Sequence, residues 1–215
     1  MLHYQTHRPT ALSDNAPWLV LLHGRGADEE DLLALADFFP DHLVVAPRAP
    51  YAAQLWNYGP GFAWYQHLGG ATPHPVHFEH SQQELHDLLE TLPALLGFRP
   101  GPLFLGGFSQ GGTMSLGYAL RNPGKVHTVI DLSGFLPEHP SIRVTSETVA
   151  DTCFYWAHGI YDAVVPHLLA ERGRAQLLAA NACLTAPDLP IDHAVSLDEI
   201  TDIQALLDLC QHPPH

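Results

Sequence analysis

Leu103-Phe104-Leu105-Gly106-Gly107-Phe108-Ser109-Gln110-Gly111-Gly112 is the stretch on which the fold turns. An apolar strand runs straight into a glycine-flanked serine, and a helical segment ending near Asn122-Pro123 follows at once. Strand, tight turn and helix in that order read as a nucleophile elbow with Ser109 at its tip. A serine on such a strained turn presents its hydroxyl outward. The positions two before and two after it must be tiny, because the strand and helix backbones pass close there. Gly107 and Gly111 meet that demand. The turn also sets Ser109 at a helix N-terminus, where free N–H groups and the positive dipole end favour a developing oxyanion, and the N–H of Gln110 is the natural donor. The competing reading is a glycine-rich turn without chemistry, and the strand before and helix after weigh against it.

Outward from this point, apolar runs and helical segments alternate along the chain. Trp18 to Leu22, Leu43 to Ala46, Leu103 to Leu105, Val126 to Leu132 and Cys153 to Trp156 are short and followed by Gly or Pro, as buried strands are. This alternation predicts an α/β fold, a mostly parallel central sheet flanked by helices on both faces, over a single domain 1–215. Ser81 with Glu84 reads as a capping box opening a helix through Leu85, Leu88, Leu89, Leu92, Leu95 and Leu96. Ser196 with Glu199 opens a last helix whose Ile200, Ile203, Leu206, Leu207 and Cys210 share a face before Pro213-Pro214. From Pro47 to His80 the rhythm breaks into a stretch rich in Pro, Gly and aromatics, including Trp56, Tyr58, Phe62, Trp64 and Tyr65. A connection so long is either a functional wall of an apolar pocket or an ordered packing loop.

Composition narrows the partners. Nearly half of the 215 residues are apolar and 15% are charged, material for a packed core. The 9 Lys+Arg against 23 Asp+Glu give a formal charge of -14, which repels phosphate backbones and anionic lipid, so nucleic acid is not an expected partner. Cys153, Cys183 and Cys210 are odd in number, widely spaced and set in apolar runs, which predicts packed free thiols in a reducing compartment rather than a disulfide framework. No signal peptide and no membrane span is read in the chain, and the expected location is cytoplasmic.

A serine hydroxyl needs a neutral imidazole to take its proton and a carboxylate to orient that imidazole. Asp162 lies in the loop after the strand ending Trp156-Ala157-His158-Gly159, at the sheet edge where α/β folds bind ligands, and it is the expected acid. Asp131 is the rival, but it sits mid-strand, and a satisfied structural carboxylate is the reading preferred there. His193, in the loop before the last helix, is the expected base among 16 histidines. The loop His23-Gly24-Arg25-Gly26-Ala27-Asp28 follows an early strand, so the Arg25 N–H is a second oxyanion donor, while His23 braces the loop. A dinucleotide fingerprint fails at Glu29 and a phosphate loop lacks its Lys-Ser or Lys-Thr, so no cofactor is called for. His74, His77 and His80 recur at metal-like intervals, but Pro73 and Pro75 argue against one helical face, and a solvated loop without metal is preferred.

These blocks together resemble the phospholipase/carboxylesterase family, which includes the acyl-protein thioesterases and small bacterial carboxylesterases. The likeness spans nearly the whole chain and rests on His23 to Asp28, Gly107 to Gly112, Leu132-Ser133-Gly134-Phe135-Leu136-Pro137, His158-Gly159 with Asp162 and Val164-Val165-Pro166, and His193-Ala194-Val195-Ser196. It implies a small α/β-hydrolase without a large lid, cleaving carboxylic esters or thioesters through an acyl-enzyme, often as a homodimer. Ser109, Asp162 and His193 would be catalytic, Arg25 and Gln110 the oxyanion hole, and Trp64-Tyr65 and Phe135-Leu136 would line the substrate pocket. The expected substrate is a small or short-acyl ester. Acyl-protein thioesterase or lysophospholipase activity is the alternative, and a non-catalytic acyl-ligand-binding protein is the alternative of another class. Asp192 stands where the family usually has Gly, and a carboxylate beside His193 would raise the base's pKa.

Overall fold

The computed structural model describes residues 1–8 and 15–211, without the side chains of 209–211. Its strands are β1 (Tyr4–His7), β2 (Trp18–Leu22), β3 (Leu43–Pro47), β4 (Tyr51–Ala52), β5 (Phe62–Ala63), β6 (Leu103–Phe108), β7 (Thr128–Leu132), β8 (Cys153–Gly159), β9 (Cys183–Thr185) and β10 (Asp188–Leu189). The helices are α1 (Glu29–Leu33), α2 (Pro75–Leu96), α3 (Gln110–Arg121), α4 (His167–Ala179) and α5 (Leu197–Gln211). One eight-stranded sheet runs β1-β3-β2-β6-β7-β8-β10, with β9 also on the β8 edge. Only β1 is antiparallel within it; every other pairing is parallel, as the alternation of strands and helices requires.

β2, β3 and β7 are buried at every residue, because both faces of the sheet are covered. Alternate side chains serve two cores. Val20, Leu22, Leu105 and Trp156 join Leu85, Leu88, Leu92 and Met114 of α2 and α3 on one face. Leu19, Leu21, Phe104 and Tyr155 meet Leu32 of α1 and Ile200, Ile203 and Leu207 of α5 on the other. Fully burying one such aliphatic side chain stabilises by about 1.5–3 kcal/mol, so the two layers are what hold the sheet edge rigid.

Two helix starts were read from similar signals, and they come out differently. At α5 the box is real: Ser196 N donates to Glu199 Oε2 at 2.6 Å, and Glu199 N donates back to Ser196 Oγ at 3.2 Å. At α2 it is not. The helix begins at Pro75, whose fixed φ suits the first helical position, so the prolines open the helix rather than bar it. Ser81 is buried within it and donates to the Trp64 carbonyl at 2.5 Å. His77 and His80 are therefore helical, not on a solvated loop. Cys210's side chain and Pro213-Pro214 lie outside the described residues.

The segment 47–80 is ordered packing in large part. β4 pairs with β5, and Trp64 and Tyr65 are fully buried. The cysteines depart from expectation too. Cys153 and Cys183 face each other on β8 and β9 with their sulfurs 3.1 Å apart, Cys183 exposed and Cys153 half-buried, so they are neither separate nor packed in the core. Register between distant strands put them together, which spacing along the chain does not reveal.

Candidate active site

Every group of the site sits at the C-terminal edge of the parallel strands. Ser109 follows β6 with φ 55° and ψ -114°, a conformation that side chains rarely adopt and that costs about 1–3 kcal/mol. The surrounding structure enforces it. Ser109 N donates to Leu132 O at 2.8 Å, and a Cβ at Gly107 or Gly111 would collide with the Leu22 carbonyl, so only glycine lets β2, β6 and α3 converge.

His193 approaches from the loop before α5. Its Nδ1 lies 2.7 Å from Asp162 Oδ2 and its Nε2 lies 3.0 Å from Ser109 Oγ. A carboxylate can only accept, which assigns the proton to Nδ1 and leaves Nε2 open to the serine O–H. The ring rests on Phe108, centroids 4.6 Å apart. Asp162 in turn accepts at Oδ1 from the N–H groups of Val164 and Val165, both at 2.8 Å. His158, fully buried, donates from Nε2 to Val165 O at 2.8 Å, with Asp162 Oδ2 3.4 Å away. Burial lowers its pKa, so it stays neutral and braces the turn without competing for the negative charge. The hydrogen bonds of His193 run to Asp162 and Ser109, and Asp192 takes no part in them.

The loop after β2 is held from beneath. His23 is buried, accepts the Ala49 N–H at Nε2 (3.0 Å) and lies 2.7 Å from Gly24 O at Nδ1. Burial depresses its pKa, which fits a neutral brace. Gly26 and Ala27 are strapped to Phe62 by backbone bonds of 2.8 Å. Just after, the buried Glu29 takes two bonds from Arg48, at 2.6 and 2.5 Å, and this pairing pulls its pKa down to about 2. The Arg25 guanidinium lies 4.6 Å over the Tyr58 ring. Gln110 at the start of α3 accepts from Trp64 N (3.1 Å) and donates to Tyr65 O (2.9 Å), tying the elbow to the aromatic segment.

Around Ser109 is a space of 30 Å³ bounded by Arg25, Tyr65, His67, Gln110, Phe135 and Val164, among others. His67, Phe135, Val164 and Val165 also line a neighbouring apolar groove of 310 Å³ that continues to Leu168 and Leu169. Of the expected pocket residues, Tyr65 and Phe135 are thus beside Ser109. Trp64 and Leu136 are not. Trp64 is buried behind the site, its Nε1 donating to His23 O at 2.9 Å, and Leu136 faces a separate cavity of 210 Å³.

Asp131 departs from the expected satisfied carboxylate. It is fully buried in β7 beneath the elbow, accepts the Gly134 N–H at Oδ1 (2.8 Å) and has no partner at Oδ2, so it is half-satisfied rather than satisfied. Burial raises its pKa well above 3.8. His74 and His77 stack at 4.0 Å and His80 pairs with the Tyr51 hydroxyl at 3.0 Å. Among the described residues no group of three or more His, Cys, Asp or Glu could hold a metal ion. His67 has no place in the sequence reading, and His158 and Phe108 stand there only within motifs, without a role. The acidic turn Asp162-Ala163-Val164-Val165 carried a signal, since Asp often bonds backbone N–H groups just ahead of it; His67 had none.

The phospholipase/carboxylesterase family model matches residues 11–211. The chain belongs to that family. As a phospholipase/carboxylesterase it is an ester hydrolase of α/β-hydrolase fold. Acyl-protein thioesterase 1 of Cryptococcus neoformans var. neoformans serotype D is 28% identical over 170 residues, covering 72% of this chain and 69% of its own length. Its namesake from Emericella nidulans is 26% identical over 223 residues, covering 92% of each. Among solved structures, the Bacillus cereus carboxylesterase superposes with a TM-score of 0.82 at 20% identity, over 97% of this chain and 94% of that one, a likeness of fold. No helix among the described residues is long and apolar enough to cross a membrane.

Proposed function

We propose that the chain is a serine esterase in which Ser109 attacks the carbonyl of a small carboxylic ester, carried on one α/β-hydrolase domain. The observation that supports it most is the continuous run from Asp162 through His193 to Ser109, with bonds of 2.7 and 3.0 Å. His193 Nε2 takes the serine proton as the C–O bond forms, and Asp162 stabilises the resulting imidazolium while staying ionised. The N–H groups of Gln110 and Arg25 receive the oxyanion; the first heads α3, where the helix dipole adds to its pull. His193 then protonates the leaving alcohol, and water activated by the same nitrogen releases the acid.

Short acyl groups are the favoured substrates because the space that Ser109 lines is about a tenth of the volume of the neighbouring groove beyond Phe135, which a longer chain would need to occupy. That 310 Å³ groove supports the second reading, a thioesterase for longer acyl chains, in line with the names of the fungal relatives. A series of nitrophenyl esters and acyl thioesters of rising length separates the two: kcat/KM should fall steeply after the first few carbons, and a maximum at long chains would favour the thioesterase. A fluorophosphonate probe tests the nucleophile itself. It should label the wild type and leave Ser109→Ala unlabelled; equal labelling of both defeats the assignment.

A further inference from the structure

Cys153 opens β8 and Cys183 opens β9, and the two are direct partners in the parallel register of the strands. Their sulfurs are 3.1 Å apart, with Cys183 open to solvent and Cys153 half-buried. Adjacent strands lie about 4.8 Å apart, inside the Cα separation of about 4.4–6.8 Å that a disulfide spans. A bond of about 2.0 Å therefore needs the sulfurs to close by little more than an ångström, within the reach of side-chain torsions alone. We propose that Cys153 and Cys183 form an oxidation site that a hydroperoxide converts to an intrachain disulfide.

The exposed Cys183 reacts first. Its thiolate attacks one peroxide oxygen, the O–O bond breaks, and Cys183 becomes a sulfenic acid while hydroxide leaves and is protonated to water. The Cys153 sulfur then attacks the sulfenic sulfur, the S–O bond breaks, and a second water leaves. Two thiols lose two electrons and two protons, and one hydrogen peroxide becomes two waters. A thiol reductant reverses the step by exchange.

The consequence is stabilisation rather than inactivation. The bridge closes a long loop that contains α4 and the Asp162 turn, so it restricts the unfolded chain strongly. It also sits at the N-terminal end of β8. The six residue steps from Cys153 to Gly159 span about 20 Å, which keeps the bond away from the edge that bears Ser109 and His193.

The test uses the full chain carrying Cys210→Ser, so that the third thiol takes no part. Titration with hydrogen peroxide, blocking of remaining thiols with iodoacetamide and peptide mass analysis without reductant should yield one joined peptide pair, Cys153 with Cys183. Both alkylated peptides should vanish over the same dose, and dithiothreitol should restore them. The unfolding midpoint of the oxidised protein should rise by about 5–10 °C, with ester turnover unchanged within twofold and with no rise in Cys183→Ser. Accumulation of a sulfinic Cys183 beside an alkylatable Cys153, or pairs that join two copies of the chain, would overturn the proposal. The mass and melting readouts hold whether or not the chain proves to be an esterase.

Discussion

Two aspartates near the same edge of the sheet meet opposite fates. Asp162 follows β8 in a turn that offers it two backbone N–H groups and the His193 N–H, a shell that suits a full negative charge. Asp131 lies inside β7, wholly buried, with one N–H from Gly134 and nothing at its other oxygen. The difference shows that position along the strand decides how many donors a carboxyl meets. Past the C-terminal end, free backbone donors gather, whereas within the strand every donor is spent on the ladder.

The comparison breaks first at Asp162. Asp162→Asn keeps the volume but puts an amide where the carboxylate meets His193 Nδ1; under the proposed mechanism kcat should fall by about 10³–10⁴ with the fold intact by circular dichroism. A drop of less than tenfold would mean that another group, His158 or Asp192, is supporting the base. The glycines that frame the site come next. Gly111→Ala drives a methyl into the Leu22 carbonyl, a backbone atom that cannot swing aside, and should cost on the order of 3 kcal/mol in urea unfolding along with most activity.

Gln110→Ala leaves the backbone N–H proposed as an oxyanion donor in place but strands the buried Trp64 N–H and Tyr65 carbonyl. Stability should fall by about 1–3 kcal/mol, and kcat/KM by about tenfold to a hundredfold as the aromatic wall drifts. A stability loss without any kinetic loss would uncouple the wall from the chemistry. Glu29 gives a pH-dependent counterpart. Its folded pKa, about 2, lies below its ordinary 4.5, so its pairing with Arg48 stabilises fully above pH 4.5 and is lost as pH falls toward 2. That is worth about 3 kcal/mol at neutral pH, and Glu29→Gln should remove this part of the acid limb in melts between pH 5 and 2.

How much of this could be read in the sequence follows from the range of each interaction. The elbow was legible because its demands are local: Gly107 and Gly111 answer to a collision within one turn, and the strand and helix flank it directly. The placing of Asp162 and His193 in loops that meet at one edge of the sheet follows from their order along the chain, and the Ser196–Glu199 box was legible because capping is a three-residue matter. The Ser81–Glu84 pair has the same spelling yet sits inside a helix already opened by Pro75, since a buried serine there bonds the distant Trp64 carbonyl instead. Burial of Trp64, the meeting of Cys153 with Cys183 and the bracing by His158 all depend on register between segments far apart in sequence. β1 is four half-buried residues, too short and too mixed to announce a strand.

Asp131 carries the smallest expected effect on activity and the sharpest test of the contrast. Its pKa is raised in the folded state, so the folded protein keeps a proton there that the unfolded chain releases above about pH 4. Folding is then favoured below 3.8 and progressively penalised as pH rises toward the folded value. Asp131→Asn mimics the protonated form: its amide oxygen can still accept from Gly134 N, and its NH₂ takes the place of the unpartnered oxygen. Turnover should change by less than about threefold, since the side chain meets no reacting atom. The melting temperature should match wild type at pH 4 and exceed it by at least about 2 °C at pH 8. Equal pH dependence in both proteins would mean that Asp131 is ionised in the core, and the distinction between the two carboxylates would then rest on the histidine that Asp162 faces rather than on the donors around them.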